Sequence, residues 1–413
     1  MDGDPAVDPR LDSFSLTFPL PFRVAFLVIL GVWGWGVNLH FLHIRRIDVP
    51  ALIRYPARSS PAQLSHHHST YRLASLLSTC TAVFLVFFWL CTRRDPQSVI
   101  DYDWIPMINL AVLFGLLLLP LRRIAVAHSG RSRLLWMLRR ISVGGLAEVK
   151  DGKFADILLA DALTSYAKVL ADLFVCLCMF FFDGPNGSAT ARPDRACGGD
   201  ILVPLIMAVP SAIRLRQCLI EYVRVRRAQF RDPSVGWGGQ HLANATKYAT
   251  AFPVIILATM LRNSAKVDSD GDGSPGLYRA WVLACLVNSL YSFYWDVAKD
   301  WDLTLFSDER AAPDHPYGLR RRLLVHKPVV YYVVIAMDLL LRLTWTVKLS
   351  ATMDRIADFE SSIFLLQFLE VFRRWVWIFF RVETEWIRST SGADDASLIL
   401  LGEYQGSKYE DED

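Results

Sequence analysis

Apolar residues gather in nine long runs, at roughly 20–42, 71–92, 104–121, 156–182, 201–222, 244–262, 277–297, 328–350 and 361–382. Each approaches the ~20 residues that a helix needs to cross a bilayer. The pattern predicts an all-α polytopic membrane protein with about nine transmembrane helices. Two runs are interrupted: 201–222 holds Pro204, Pro210, Arg214 and Arg216, and 277–297 ends in Tyr, Trp and Asp. A spanning helix tolerates this where it faces protein or a water-filled cavity. The first run starts only near Pro19 and is long for a signal-peptide core, so it reads as a retained anchor.

Composition agrees. Of 413 residues 53% are hydrophobic and 12% aromatic, and the mean hydropathy is +0.28, too apolar for an ordinary soluble domain. The net charge of +3 gives no cue to nucleic acid. Position matters more: the connections 43–70, 122–155, 223–243, 298–327 and 383–413 carry 24 Lys and Arg, and those on the other side carry 7. The basic set is cytosolic by the positive-inside rule, which puts the N-terminus in the lumen and the C-terminus in the cytosol. The chain then divides into a short luminal N-terminus (1–19), N-terminal spans with a basic cytosolic connector (20–150), a core (151–390) and an acidic cytosolic tail (391–413). The sequon at Asn186 falls in a luminal loop, where glycosylation is expected; that at Asn244 falls at a cytosolic helix start and reads as chance. Seven cysteines lie mostly in apolar runs and read as packing residues, the Cys176–Cys178 pair included.

Ionisable residues also sit inside the apolar runs. Asp161, Lys168 and Asp172 fall at offsets of 7 and 4, which puts all three on one helical face. Asp296 and Asp300 are four apart, as are Asp338 and Arg342 with Trp345 near them, and Glu370 can reach Arg373 or Arg374. A charge at the bilayer centre costs about 2.5–3.5 kcal/mol even on insertion scales. Ion pairs that merely lock the bundle are one reading. Yet Arg214, Lys247, Arg342, Arg373 and Arg374 come from four runs with acids between them. Such a cavity suits a small, multiply charged anion held by forked guanidiniums. Phosphate fits, and so on these grounds do sulfate, a carboxylate or a lipid head group.

The segments "FADILLADALTS", "VPSAIRLRQCLIEY", "NATKYAT", "YSFYWDVAKDW", "DLLLRLTWT" and "EVFRRWVWIFFRVE", in this order, resemble the EXS family of membrane phosphate exporters, over roughly residues 30 to 390. The chain is most similar to the short, SPX-less fungal ER-retention-defective branch. The resemblance implies an EXS-type bundle whose phosphate pathway is lined by Asp161, Lys247, Tyr248, Asp296, Asp300, Arg342, Trp345, Arg373 and Arg374. Arg342, Arg373 and Arg374 would hold phosphate oxygens, Lys247 and Tyr248 would add donors, and Trp345 would shape or gate the passage. Asp161, Asp296 and Asp300 would orient the cations and accept from protonated phosphate. Thr164 stands where longer exporters have an amide, and Arg214 and Glu370 are further pathway candidates. About 19 residues precede the first span here, so control through an SPX domain is not expected. The branch implies a Golgi protein that returns luminal phosphate, a by-product of glycosylation, to the cytosol and supports retention of luminal ER proteins. The alternative is a non-transporting sorting factor that recycles Golgi glycosyltransferases through a cytosolic adaptor. Membrane lipids, or a second copy in a homodimer, would cover the Trp- and Phe-rich edge.

Other motifs are weaker. "DSDGDG" at 268–273 begins like a calcium loop, but Arg279 stands where a bidentate Glu is needed. "HHH" at 66–68 reads as a polar loop, and 122–140 reads as a basic connector or an amphipathic helix on the cytosolic leaflet. No nucleophile with its base, metal-ligand cluster or glycine-rich nucleotide loop is evident, so neither an enzyme nor a cofactor is expected.

Overall fold

A computed structural model of the chain describes residues 11–55, 65–119, 127–182, 187–232, 236–267, 275–313, 315–349 and 359–410, without the side chains of 265–267, 316, 348–349 and 392–410. Asn186 and the 268–273 run fall outside the described residues.

Among those residues the chain is helical and has no strand. The principal helices are α1 (Leu20–Ile44), α2 (His66–Thr92), α3 (Trp104–Leu118), α4 (His128–Arg139), α5 (Lys153–Ser165), α6 (Ala167–Phe181), α7 (Leu202–Gln229), α8 (Gly239–Ala249), α9 (Ala251–Val267), α10 (Pro275–Trp295), α11 (Pro328–Arg342) and α12 (Glu360–Glu410). Pro21 and Pro328 sit in the first turns of α1 and α11, where the missing N–H costs nothing. Among the described residues Leu20–Ile44, His66–Thr92, Pro96–Leu118 and Leu202–Gln229 are long and apolar enough to span, and α5 with α6 makes a fifth if the bent pair is one span.

The remaining apolar runs are broken, and the breaks share a location. The run 156–182 bends by 64° between α5 and α6. The next ends at Ala249 and restarts at Ala251, α10 passes into a π-helical turn over Asp296–Asp300, and α11 gives way to a tight turn over Thr344–Leu349. Each break adjoins ionisable residues named above. Irregular backbone at membrane depth is tolerated where protein or a cavity satisfies it, and π-helical turns recur at functional sites. By contrast α12 runs unbroken past Val382 to Glu410.

Helix α1 packs on α2, α3, α6 and α12, while α7 packs on α5, α6, α8 and α9. Small residues set the α1 contacts: a Cβ at Gly31 would lie 2.1 Å from Tyr166 Oη, and one at Gly34 would lie 2.8 Å from the Trp375 ring. Between lipid-solvated helices such close approach, not hydrophobic transfer, drives packing. One apolar core joins α1, α3, α6 and α7 around Leu27, Leu113 and Val175; a second joins the end of α1 to α11 and α12 around Trp301, Tyr331 and Trp377.

The connections sort by end. Ser188 and Thr190 donate to Ile100 O and Val99 O, and Arg23 and Arg195 meet at Glu360. At the opposite end Arg320 pairs with Glu383 at 2.5 Å and Arg388 with Asp302 at 3.2 Å.

Three expectations change. Cys178 and Cys197 form a disulfide with a Cα separation of 6.1 Å, although all seven cysteines had read as packing. Cys178 lies in the last turn of α6, and the following loop folds Cys197 back over it. The three histidines are not a polar loop: they form the first turn of α2, where His67 is buried and stacks on the His40 ring at 4.7 Å. Asp161, Lys168 and Asp172 do not share one face, because the bend at Tyr166 turns α6 away and leaves Lys168 exposed. The basic connector does form a helix, α4. Arg131 is buried there and donates to Leu116 O and Leu119 O, satisfying carbonyls at the end of α3.

Candidate functional site

The helix breaks converge on a buried polar cluster. Asp161 of α5 accepts from Arg214 Nε of α7 at 2.7 Å and from the Tyr248 hydroxyl of α8. Arg214 also donates to Gln217 Oε1 at 2.6 Å. Lys247, beside Tyr248, donates to Asp296 Oδ1 at 3.1 Å and Asp300 Oδ2 at 3.2 Å. The π-helical turn makes this fork: its wider ring lets carboxylates four residues apart face one ammonium.

Asp296 is the hub. Its Oδ2 also accepts from Arg342 and lies 3.5 Å from Arg373 Nη1. Asp338 joins the same arginines, accepting from Arg342 Nε at 3.1 Å and Arg373 Nη1 at 2.9 Å. Arg373 finally grips Glu370 with two bonds of 2.9 and 2.6 Å. Arg342 is thus held by two carboxylates and Arg373 by three.

Arg374 differs. Its Nε donates to Ser165 Oγ at 2.8 Å and its Nη2 to Thr164 Oγ1 at 3.1 Å, and its guanidinium lies 4.5 Å above the Trp377 ring. Among the described residues it forms no ion pair. The Ser165 hydroxyl in turn donates a hydrogen bond to Glu370 Oε1 at 2.6 Å. The Trp345 indole donates to Ser289 Oγ at 3.0 Å, and that hydroxyl donates to the Arg342 carbonyl at 3.1 Å, so Trp345 stands beside the cluster without joining its ion pairs.

A cavity of about 680 Å³ opens beside this cluster, walled by Arg214, Gln217, Lys299, Asp300 and Arg381 and rimmed by Arg54, Lys153 and Arg388. Two amide atoms among its lining residues, Gln217 Nε2 and Asn244 Oδ1, are buried without a hydrogen-bond partner. Unsatisfied buried polar atoms are uncommon and call for a water, ion or ligand.

The structure brings the sequence-derived candidates together: Asp161, Thr164, Arg214, Lys247, Tyr248, Asp296, Asp300, Arg342, Glu370, Arg373 and Arg374 form one network, with Trp345 adjoining. Of the two arginines open to Glu370 it is Arg373 that pairs. The site reading passed over Ser165, Gln217 and the bridging role of Asp338. Asp338 carried a signal, its spacing of four from Arg342; Ser165 and Gln217, small or neutral, carried none. Among the described residues no group of three or more His, Cys, Asp or Glu is arranged to hold a metal.

Relatives match nearly the whole length of this chain. Protein ERD1 homolog 1 of Schizosaccharomyces pombe is 31% identical over 382 residues, which is 91% of this chain and 92% of the relative. Protein ERD1 of Kluyveromyces lactis is 28% identical over 408 residues, covering 92% and 97%. Solute carrier family 53 member 1 of Mus musculus is 27% identical over 391 residues, 91% of this chain and 51% of that protein. A family pattern described as the EXS family matches residues 18–387, and with that extent this multi-pass membrane protein belongs to the EXS family.

Proposed function

We propose that the protein carries inorganic phosphate across the Golgi membrane, from lumen to cytosol, through the cluster around Asp296 and Arg374. The observation that carries this reading is Arg374: a buried arginine oriented by hydroxyls and a ring, with no carboxylate in direct contact among the described residues. A buried cation without an anion is costly, and an oxyanion that arrives there is correspondingly well held.

The acids refine the ligand. Phosphate near neutral pH keeps a proton on some of its oxygens and can donate to Glu370 or Asp296; sulfate has none to give. A site of carboxylate acceptors therefore favours phosphate over an isostere lacking the donor, because the mismatch leaves buried groups unpaired. The 680 Å³ cavity, at the end whose connections are the more basic, is the cytosolic exit in this assignment. Removal of luminal phosphate left by glycosylation would support glycosylation and, with it, retention of luminal ER proteins. The similarity to a protein named as a solute carrier supports transport, and that to proteins named ERD1 supports the Golgi branch.

The competing role, sorting glycosyltransferases through a cytosolic adaptor, needs only an exposed surface and leaves the buried ion network without work. Sealed Golgi vesicles separate the two. The Arg373→Ala, Arg374→Ala double variant is expected to lose phosphate efflux while glycosyltransferase retention follows the tail after Glu383. Normal efflux from the correctly located double variant would defeat the transport reading.

A further inference from the structure

A second convergence of charge lies outside the central cluster. Arg23, near the start of α1, is 2% exposed; it donates to Glu360 Oε2 at 2.7 Å, to Ser15 Oγ at 2.7 Å and to the Phe18 carbonyl at 2.7 Å. Arg195, on the loop between α6 and α7, forks onto the same Glu360 with bonds of 2.7 and 3.1 Å, and its Nε lies 3.7 Å from Asp172 Oδ1. Two guanidiniums from distant parts of the chain thus close on one carboxylate. The Arg195 side chain keeps 29% of its surface exposed, against 3% for Arg23 and 9% for Glu360.

We propose that Arg23 and Arg195 form a second phosphate site at the luminal mouth of the pathway, and that Glu360 fills it as an internal stand-in until an arriving anion displaces it. This rests on the transport reading above. Guanidiniums take carboxylate and phosphate oxygens with the same forked geometry, so exchange of one for the other needs only the swing of one acid. Arg195 is reachable from water and meets the anion first.

Two further features support a mouth over a simple clamp. The loop is tethered where Arg195 needs it: Cys197, two residues on, is bonded to Cys178 of α6, the helix that carries Asp172. The face of α12 that starts at Glu360 also carries polar residues, set among apolar ones, as it runs inward. Glu360, Gln367 and Arg374 follow at intervals of seven, so they line one side of the helix over about 21 Å. Each step has a polar partner across the seam: Gln367 donates to Asp172 at 2.6 Å, Ser165 to Glu370 at 2.6 Å, and Arg374 to Ser165 at 2.8 Å. A clamp at the rim would not need this ladder, which is expensive inside a membrane.

The test is a phosphate titration from each face of sealed, orientation-sorted proteoliposomes. Arg195→Ala should raise the luminal half-saturation concentration at least about tenfold, the factor that one lost charge-assisted hydrogen bond carries, with the cytosolic value unchanged. Glu360→Gln, which keeps the shape and frees both arginines, should lower the luminal value, and Arg195→Lys should recover part of the loss. Transport by the parent with the luminal value unmoved in both Arg195→Ala and Glu360→Gln would overturn the mouth site and leave the central one standing. A parent that transports no phosphate would overturn both.

Discussion

Arg373 and Arg374 are neighbours in sequence with opposite work. Arg373 is locked by Asp338 and Glu370 and lies close to Asp296, so it holds α11 and α12 together. Removing one partner of a buried ion pair strands the other and costs about 3–5 kcal/mol. Arg373→Ala should therefore lower the melting temperature and the yield of monodisperse protein. Arg374→Ala breaks no ion pair among the described residues and removes a donor from two hydroxyls that keep other partners, so it should fold while losing phosphate transport by tenfold or more; thermal melts beside flux measurements check both halves. Glu370 gives a third outcome. Its side chain is 34% exposed, unlike the fully shielded Asp296, and it is the acid best placed to accept from a protonated oxygen. Glu370→Gln presents an N–H there and should narrow the margin between phosphate and sulfate in competition assays; an unchanged margin would assign the discrimination elsewhere.

At the scale of elements, hydropathy placed the apolar runs and their charges but not their breaks. A window sees composition, whereas the bend at Tyr166 and the turn at Asp296–Asp300 arise from contacts between runs. The loss of a shared face for Asp161 and Asp172 follows from that bend. The disulfide was partly legible, since Cys197 was the cysteine standing in a predicted luminal loop, where oxidation is favoured. The α1 contact is a further element-scale test. Tyr166 donates to Leu27 O at 3.1 Å and leaves no room for a Cβ at Gly31. Gly31→Ala should destabilise by about 1–3 kcal/mol through overpacking, and most of that cost should vanish in a Tyr166→Phe background. Additive melting-temperature shifts for the pair would show that the two residues do not press on each other.

Across the whole molecule the charges that looked out of place balance locally. Arg214, Lys247, Arg342 and Arg373 pair with Asp161, Asp296, Asp300, Asp338 and Glu370, so these residents tolerate burial. An added anion disturbs that balance, and the network must yield by re-pairing rather than by gaining charge. Such re-pairing allows binding strong enough for capture and weak enough for release. The composition of the central cluster was readable because ionisable residues in apolar runs are conspicuous. The mouth cluster was not, because Arg23, Arg195 and Glu360 lie at run ends where charge is ordinary.

In the proposed function this network passes phosphate. Radiolabelled phosphate release from sealed proteoliposomes, for the parent and for a folded Arg374→Ala variant with sulfate as control, tests it directly. Phosphate release by the parent, little sulfate release and at least a tenfold loss in the variant are expected. A folded variant that releases phosphate at the parent rate would contradict that function.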